Sequence, residues 1–478
     1  MKSLPTDLHR EAGRDALRTF LEACRDEAED DGHYKIVSIS LATGYLDALA
    51  VLDSIYEPNA WHFYGEWAGR GEAIAGAEAV VLGEWSGKNR FVRMKECAAE
   101  ILEHTIAVGD LDTSFSGPHF FAGFSFADTL EADAAFPAAV LFLPQWQVAV
   151  RDNAFTAVAN CRVEPDADLD ALTDRIWNAR DKFNRFNYQE TANAAPDKLE
   201  ILAQVDNPLA DGASFQESVA TALKEIDRGL YEKIVLARTR DLAFSGPCRP
   251  LSTLHGLRSR FANCYAFSFQ NEAGDSFIGA TPERLVRVEQ GKLVTEAIAG
   301  STPRGADPAE DAALAKALLE SEKDQREHRH VVDSILNRLQ GLGLEPAAAA
   351  TPRLLNLANV RHLWTPVSAT LPDSAHILDY VAELHPTPAV GGTPRERAVT
   401  RILELEGQSR SLYAGLIGWF NHCGEGEFAV AIRSAWVRQN KARLYAGAGI
   451  VQGSDPEKEY SETRVKMNAL LTAMGGNR

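Results

Sequence analysis

Between residues 453 and 471 the chain reads GSDPEKEYSETRVKMNALL, with Glu457, Glu459 and Glu462 close together and Lys466 four residues beyond Glu462. As a helix, at about 100° per residue, the segment aligns Thr463, Met467, Leu470, Leu471 and Met474 on one stripe. Glu459, Glu462 and Lys466 then form a row at the edge of that stripe. Two chemistries suit such a row: a solvated i,i+4 Glu–Lys ladder, or carboxylates bordering a buried surface and holding a hard cation through oxygen. A second row occurs in SEKDQREHRHVVDSIL, where Asp324 and Glu327 stand just ahead of Val331, Val332, Ile335 and Leu336. Two helices with paired carboxylates could converge on one ion. Mg²⁺ suits this arrangement because it usually takes one or two protein carboxylates and leaves places for water and substrate oxygens.

Composition narrows the possible guests. The 478-residue chain is 45% apolar and 24% charged, which suits a globular protein large enough for several ordinary domains or one large two-lobed unit. Its formal charge of -18 argues against nucleic acid or an anionic membrane as the main partner, since both attract basic surface. An anionic substrate would therefore need a local cation. The run AAVLFL stops at Pro144, far short of the roughly 20 apolar residues of a membrane span. The opening MKSLPTDLHREAGRD lacks the apolar core of a secretory signal, so a cytoplasmic protein is expected. Six scattered cysteines, with no CxxC spacing, read as reduced and mostly buried thiols.

The elements that must position these carboxylates can be read in outline. Residues 5–29 are charged and helix-prone, and KIVSISLAT opens a β-rich region containing WHFYGEWAG, HFFAGFSFAD and AAVLFLPQWQVAV. Residues 164–211 turn polar and helical, and DNPLADGAS joins the two halves, 1–205 and 206–478. The second half opens on a helix with a Ser214/Glu217 capping box, then the strand EKIVLARTR. A hairpin turning at Gly291 follows, then helices over 307–341 capped by Asp307, with Pro308 at the first position and Gly341 as a stop. EPAAAATP reads as a linker. Thr393, Pro394 and Glu396 start another helix, and LYAGLIGWF, EFAVAIRSAWV and ARLYAGAGI form a meander before the last helix. Strands and helices alternate without a βαβ repeat, so the expected class is α+β with large antiparallel sheets.

From residue 213 to 473 the ordered motifs EKIVLAR, FIGATPERL, TEAIAGSTPRG, SEKDQREH, HPTPAVGG, YAGLIGW, AIRSAW and AGAGIVQGSDPEKEYSET, with the final VK, resemble the chorismate-utilising enzymes, specifically the isochorismate synthases. The resemblance implies two large, mostly antiparallel sheets packed face to face and flanked by helices, with a variable first half completing them. It also implies Mg²⁺-assisted attack of water at C2 of chorismate with loss of the 4-hydroxyl, which calls for a base and an acid.

Carried over residue by residue, the resemblance makes Lys233 the base and Glu283 the acid. The relatives that make anthranilate use ammonia and usually carry Gln at the Lys233 position. Lysine implies water, and no glutamine amidotransferase subunit is required. Ala299 stands where aminodeoxychorismate synthases place a nucleophilic lysine, and an alanine cannot form that adduct. Glu327 and Glu462 would ligate Mg²⁺, with Asp324 and Glu459 ligating directly or through water. Arg433 and Tyr413 would bind the enolpyruvyl carboxylate. Gly300, Ser301, Gly447 and Gly449 would let backbone approach substrate carboxylates. Lys466 would face the ring carboxylate and His385 would line the pocket, while His119 and Trp67 read as packing residues. A salicylate synthase, which goes on to eliminate pyruvate, would share these residues. The GS pair at Gly300–Ser301 favours stopping at isochorismate, for which menaquinone synthesis is the expected use.

Overall fold

The computed structural model describes residues 1–4, 13–55, 59–185, 199–357 and 360–475. Parts of the N-terminal stretch (residues 5–12) and of the polar run (residues 186–198) lie outside them.

Two antiparallel layers carry the second half. In one, Lys233–Phe244 pairs with Lys441–Val451, and the sheet continues through Ser434–Arg438, Ser276–Thr281, Tyr265–Gln270, His62–Trp67 and Glu72–Trp85. In the other, Val360–Thr370 is followed by Lys292–Pro303, Arg284–Glu289, Gly426–Val430, Leu416–Asn421, His119–Phe124 and Ala139–Arg151. Glu72–Trp85 and Ala139–Arg151 pair with each other along nearly their whole length, so the layers are continuous through this ribbon. The inner faces meet where Phe63 stacks on Phe121 at 4.6 Å and where the Trp67 indole donates to Glu427 Oε1 at 2.7 Å. Trp67 therefore both packs and hydrogen-bonds, and His119 is buried against Trp419. The class is α+β, with helices flanking the sheets.

Local signals explain the helices that matter. The Ser214/Glu217 capping box is present at the start of Phe215–Asp227. Asp307 caps Pro308–Glu320, and Ser321 caps a separate helix, Glu322–Gly341. Asp455 caps Pro456–Ala473, whose predicted stripe of Thr463, Met467, Leu470, Leu471 and Met474 is buried. The hairpin turns at Gln290 and Gly291, both at positive φ, as a type I′ turn requires.

The polar run differs from expectation. After the helix Leu169–Arg185, Ile201–Asp206 is a strand along residues 240–244. Its residues after Ile201 are exposed, so backbone pairing offered by its neighbour, rather than apolar patterning, makes it a strand. Ala347–Ala348, within the linker-like EPAAAATP, likewise pairs briefly with Val367–Ser368. The six cysteines are free, and Cys423 is exposed.

Candidate active site

Lys233 is the first residue of Lys233–Phe244, and on that strand Lys233, Val235 and Ala237 share a face. Opposite Val235 and Ala237 stand Gly449 and Gly447. A Cβ on Gly449 would sit 3.2 Å from Lys233 Cε, so glycine leaves the room the lysine side chain occupies. Lys233 Nζ donates to Glu327 Oε1 at 2.6 Å.

Glu283 follows the strand Ser276–Thr281, and its N–H is held by Thr281 Oγ1 at 3.1 Å. Burial raises its carboxyl to about 7, against the opposing effects of the Thr387 hydroxyl and the Lys233 charge. Thr387 Oγ1 donates to Glu283 Oε1 at 3.3 Å. Glu283 is therefore an acid that still holds its proton near neutrality.

Both groups line one cavity of about 280 Å³. Asp324 and Glu327 reach it from the helix Glu322–Gly341, and Glu459, Glu462 and Lys466 from Pro456–Ala473. Gly300 is the extra residue of a bulge between Ala299 and Ser301, at φ 74. A Cβ there would lie 3.1 Å from Asp324 Cβ, so this glycine brings strand and helix together at the cavity wall. Ala299, Ser301, Tyr413, Arg433, Gly447 and Gly449 complete the predicted lining. His385 lies outside it: the residue caps the C-terminus of Ile377–Leu384, and its ring packs edge-on to Phe126.

The carboxylate rows do converge on this cavity, but each principal carboxylate already has a lysine. Burial pushes Glu327 and Glu462 upward, yet Lys233 and Lys466, the latter 2.7 Å from Glu462, hold both below the usual range. In Glu459 burial prevails: it raises the carboxyl, and the Glu462 charge adds to the rise, against the Ser454 hydrogen bond and the Lys466 and Lys323 charges. No group of three or more metal-ligating side chains is drawn together among the described residues. Hard oxygen donors from two helices nevertheless suit Mg²⁺, which needs few protein ligands.

The lining also balances its charges. With Glu283 protonated and Arg410 paired to Glu406, Lys233, Lys323, Arg433 and Lys466 face Asp324, Glu327, Glu459 and Glu462. A dianion entering with a divalent cation would leave that balance unchanged. Arg433 has a backbone φ of 52, and no ion-pair partner among the described residues holds its guanidinium. Burial lowers its pKa, a cost that an incoming anion would relieve. Arg433→Met is expected to weaken binding of an anionic substrate about 10- to 100-fold, read as KM, with a much smaller effect on kcat.

Sequence reasoning missed His362, Arg410, Thr387 and Lys323. His362 Nδ1 lies 2.7 Å from Ser301 Oγ, and burial, with Arg433 and Lys466 adding, lowers its pKa to about 3, which keeps it neutral. Ser301 and His362 are cross-strand partners 61 positions apart, a relation that appears only once the register is known. The Glu406/Arg410 spacing of four was the one signal readable in advance.

The chain is similar to known proteins over most of its length. The family described as chorismate binding enzyme matches residues 19–475, which extends the likeness into the first half. Isochorismate synthase MenF of Bacillus subtilis is 34% identical over 389 residues, covering 81% of this chain and 80% of the relative. The salicylate biosynthesis isochorismate synthase of Pseudomonas aeruginosa is 34% identical over 401 residues, covering 82% and 81%. The solved structure of MenF, the menaquinone-specific isochorismate synthase from Escherichia coli, superposes with a TM-score of 0.76 at 26% identity, over 95% of this chain and 99% of that one.

Proposed function

The chain belongs to the chorismate-binding enzyme family, and from that membership we propose that it is an isochorismate synthase. The observation that carries this reading is that Lys233, bound to a carboxylate, and Glu283, an acid with a pKa of about 7, line the same cavity. In its neutral amine form, having given up the ammonium proton, Lys233 takes a proton from the water that attacks C2 of chorismate, and Glu283 gives one to the departing 4-hydroxyl. One water enters and one leaves, so the net reaction is a reversible isomerisation.

Arg433 and Tyr413 hold the enolpyruvyl carboxylate, and Lys466 faces the ring carboxylate. The backbone at Gly300, Ser301, Gly447 and Gly449 passes close to the substrate. Glu327 and Glu462, supported by Asp324 and Glu459, would hold Mg²⁺. That ion would supply Lewis-acid charge for the ring carboxylate and for the developing negative charge. Ala299 in the wall leaves no amine for a covalent adduct. With water as the nucleophile the chain acts without a glutamine amidotransferase subunit. The menaquinone-specific isochorismate synthase of Escherichia coli favours menaquinone synthesis as the setting, with the cytoplasm as the proposed compartment. No helix among the described residues is long and apolar enough to cross a membrane.

Product analysis tests the reading. Purified protein with chorismate and Mg²⁺ should yield isochorismate, and excess chelator should abolish turnover. Salicylate with pyruvate would replace this reading by a salicylate synthase, and full activity in chelator would remove the metal from it.

A further inference from the structure

The strand that carries Lys233 is paired along one edge by Lys441–Val451 from residue 233 to 243. Its other edge is covered only in pieces: Gly392–Thr393 pairs with Lys233 and Ile234, and Ile201–Asp206 pairs from Arg240 onward. Between these pieces the backbone would lack strand partners, and buried polar backbone requires them. The Gly391 carbonyl takes the Val235 N–H and the Asn207 N–H reaches the Thr239 carbonyl, and two side chains fill the gap between them. Glu406 Oε1 accepts from the Ala237 N–H at 2.7 Å, and Arg410 Nη2 donates to the Val235 carbonyl at 2.6 Å.

Glu406 and Arg410 are themselves joined, Nε to Oε2 at 2.8 Å and Nη2 to Oε1 at 2.6 Å, with side chains 4% and 3% exposed. Arg410 Nη1 also donates to the Val390 carbonyl at 3.0 Å. Val390 ends the turn that begins at Thr387, the residue whose hydroxyl reaches Glu283. The Tyr413 N–H returns to the Arg410 carbonyl at 2.9 Å, in a loop that passes through left-handed Ser411 and Ala414. Phe126 lies against the guanidinium at 4.2 Å.

One ion pair thus touches the strand of the base, the turn that holds the acid and the loop of Tyr413. Four of the five N–H donors of Arg410 are engaged within the protein, so its head is not free to take a substrate carboxylate as Arg433 is. A buried ion pair contributes little to stability over a well-packed apolar pair, and its geometry is its clearest asset.

We infer that Glu406 and Arg410 are positioning residues that fix the separation of Lys233 and Glu283 for catalysis, an inference that rests on the isochorismate synthase reading. Arg410→Lys keeps the charge and loses the fork that spans these partners. It should lower kcat about 100-fold, with KM for chorismate and the Mg²⁺ dissociation constant each within threefold of wild type. Glu406→Gln retains an acceptor for Ala237 and should lose only about tenfold in kcat, again at unchanged KM.

Calorimetric Mg²⁺ titration and circular dichroism accompany the kinetics. If both variants keep kcat within threefold and only melt earlier, the pair is merely structural and the inference is overturned. A rise in KM at intact kcat overturns it as well, since that would mark direct substrate binding. Should Arg410→Lys fail to fold, Glu406→Gln decides by the same criteria. Failure of the functional reading shows separately, as a wild-type product other than isochorismate, and the selective loss of kcat is then scored on that product.

Discussion

Lys233→Ala is expected to lower kcat for isochorismate formation about 1,000-fold, within the range ascribed to a positioned general base. Lys233 stands at the start of its strand with its side chain in the cavity, where Gly449 leaves it room and Glu327 anchors its ammonium. Removing the amine leaves the attacking water with no base in reach of C2. It also leaves Glu327 a half-buried carboxylate without its cation, so some loss of melting temperature accompanies the kinetic defect. The kinetic defect should exceed what that loss explains. Quantifying isochorismate against time, with circular dichroism on the same sample, checks the expectation; unchanged turnover would remove Lys233 from the chemistry.

The second large effect is double. Glu283→Gln is expected to lose 100- to 10,000-fold in kcat, because an amide cannot protonate the leaving hydroxyl. The same substitution should stabilise the protein above neutrality. The Glu283 carboxyl titrates near 4.5 when unfolded and at about 7 when folded, with burial as the main cause. The folded state therefore binds more protons across that interval, and its stability falls as pH rises from about 4.5 to about 7. Glutamine removes that slope. Above pH 7 the variant should exceed wild type by up to about 3 kcal/mol, and the difference should fade near pH 4. Urea unfolding at several pH values reads this directly. In wild type, activity should decline as pH rises past about 7, as the acid loses its proton. A variant that kept kcat would contradict the first part, and one less stable than wild type at pH 8 would contradict the second.

Legibility followed sequence distance. The stripe from Thr463 to Met474, the Ser214/Glu217 box and the Gly291 hairpin rest on periodicity and turn chemistry within a few residues, and each appears in the fold. The carboxylate rows were visible for the same reason, being i,i+3 pairs beside apolar positions. Their meeting was not visible, because it depends on two helices packed on strands far apart in the chain. The Ser301–His362 contact and the Thr387–Glu283 bond span 61 and 104 positions, and no local pattern encodes them. Ile201–Asp206 was missed because its pairing comes from a neighbour and not from its own residues. Ordered motifs from a known family supplied what spacing could not.

The ribbon of Glu72–Trp85 and Ala139–Arg151 has a consequence for how this enzyme can be cut or recombined. His62–Trp67 hydrogen-bonds to Tyr265–Gln270, and His119–Phe124 to Leu416–Asn421, so strands from before and after residue 206 are woven into the same sheets. A fragment starting at 206 would keep every residue assigned to the chemistry but would bare the strand edges at Tyr265–Gln270, Leu416–Asn421 and residues 241–244, and the Phe269 ring that Trp61, Phe63 and Phe142 cover. The first half is therefore not an exchangeable module. Chimeras exchanging it between relatives would have to carry matching strand edges, and the two pieces expressed separately would find each other only by co-assembly.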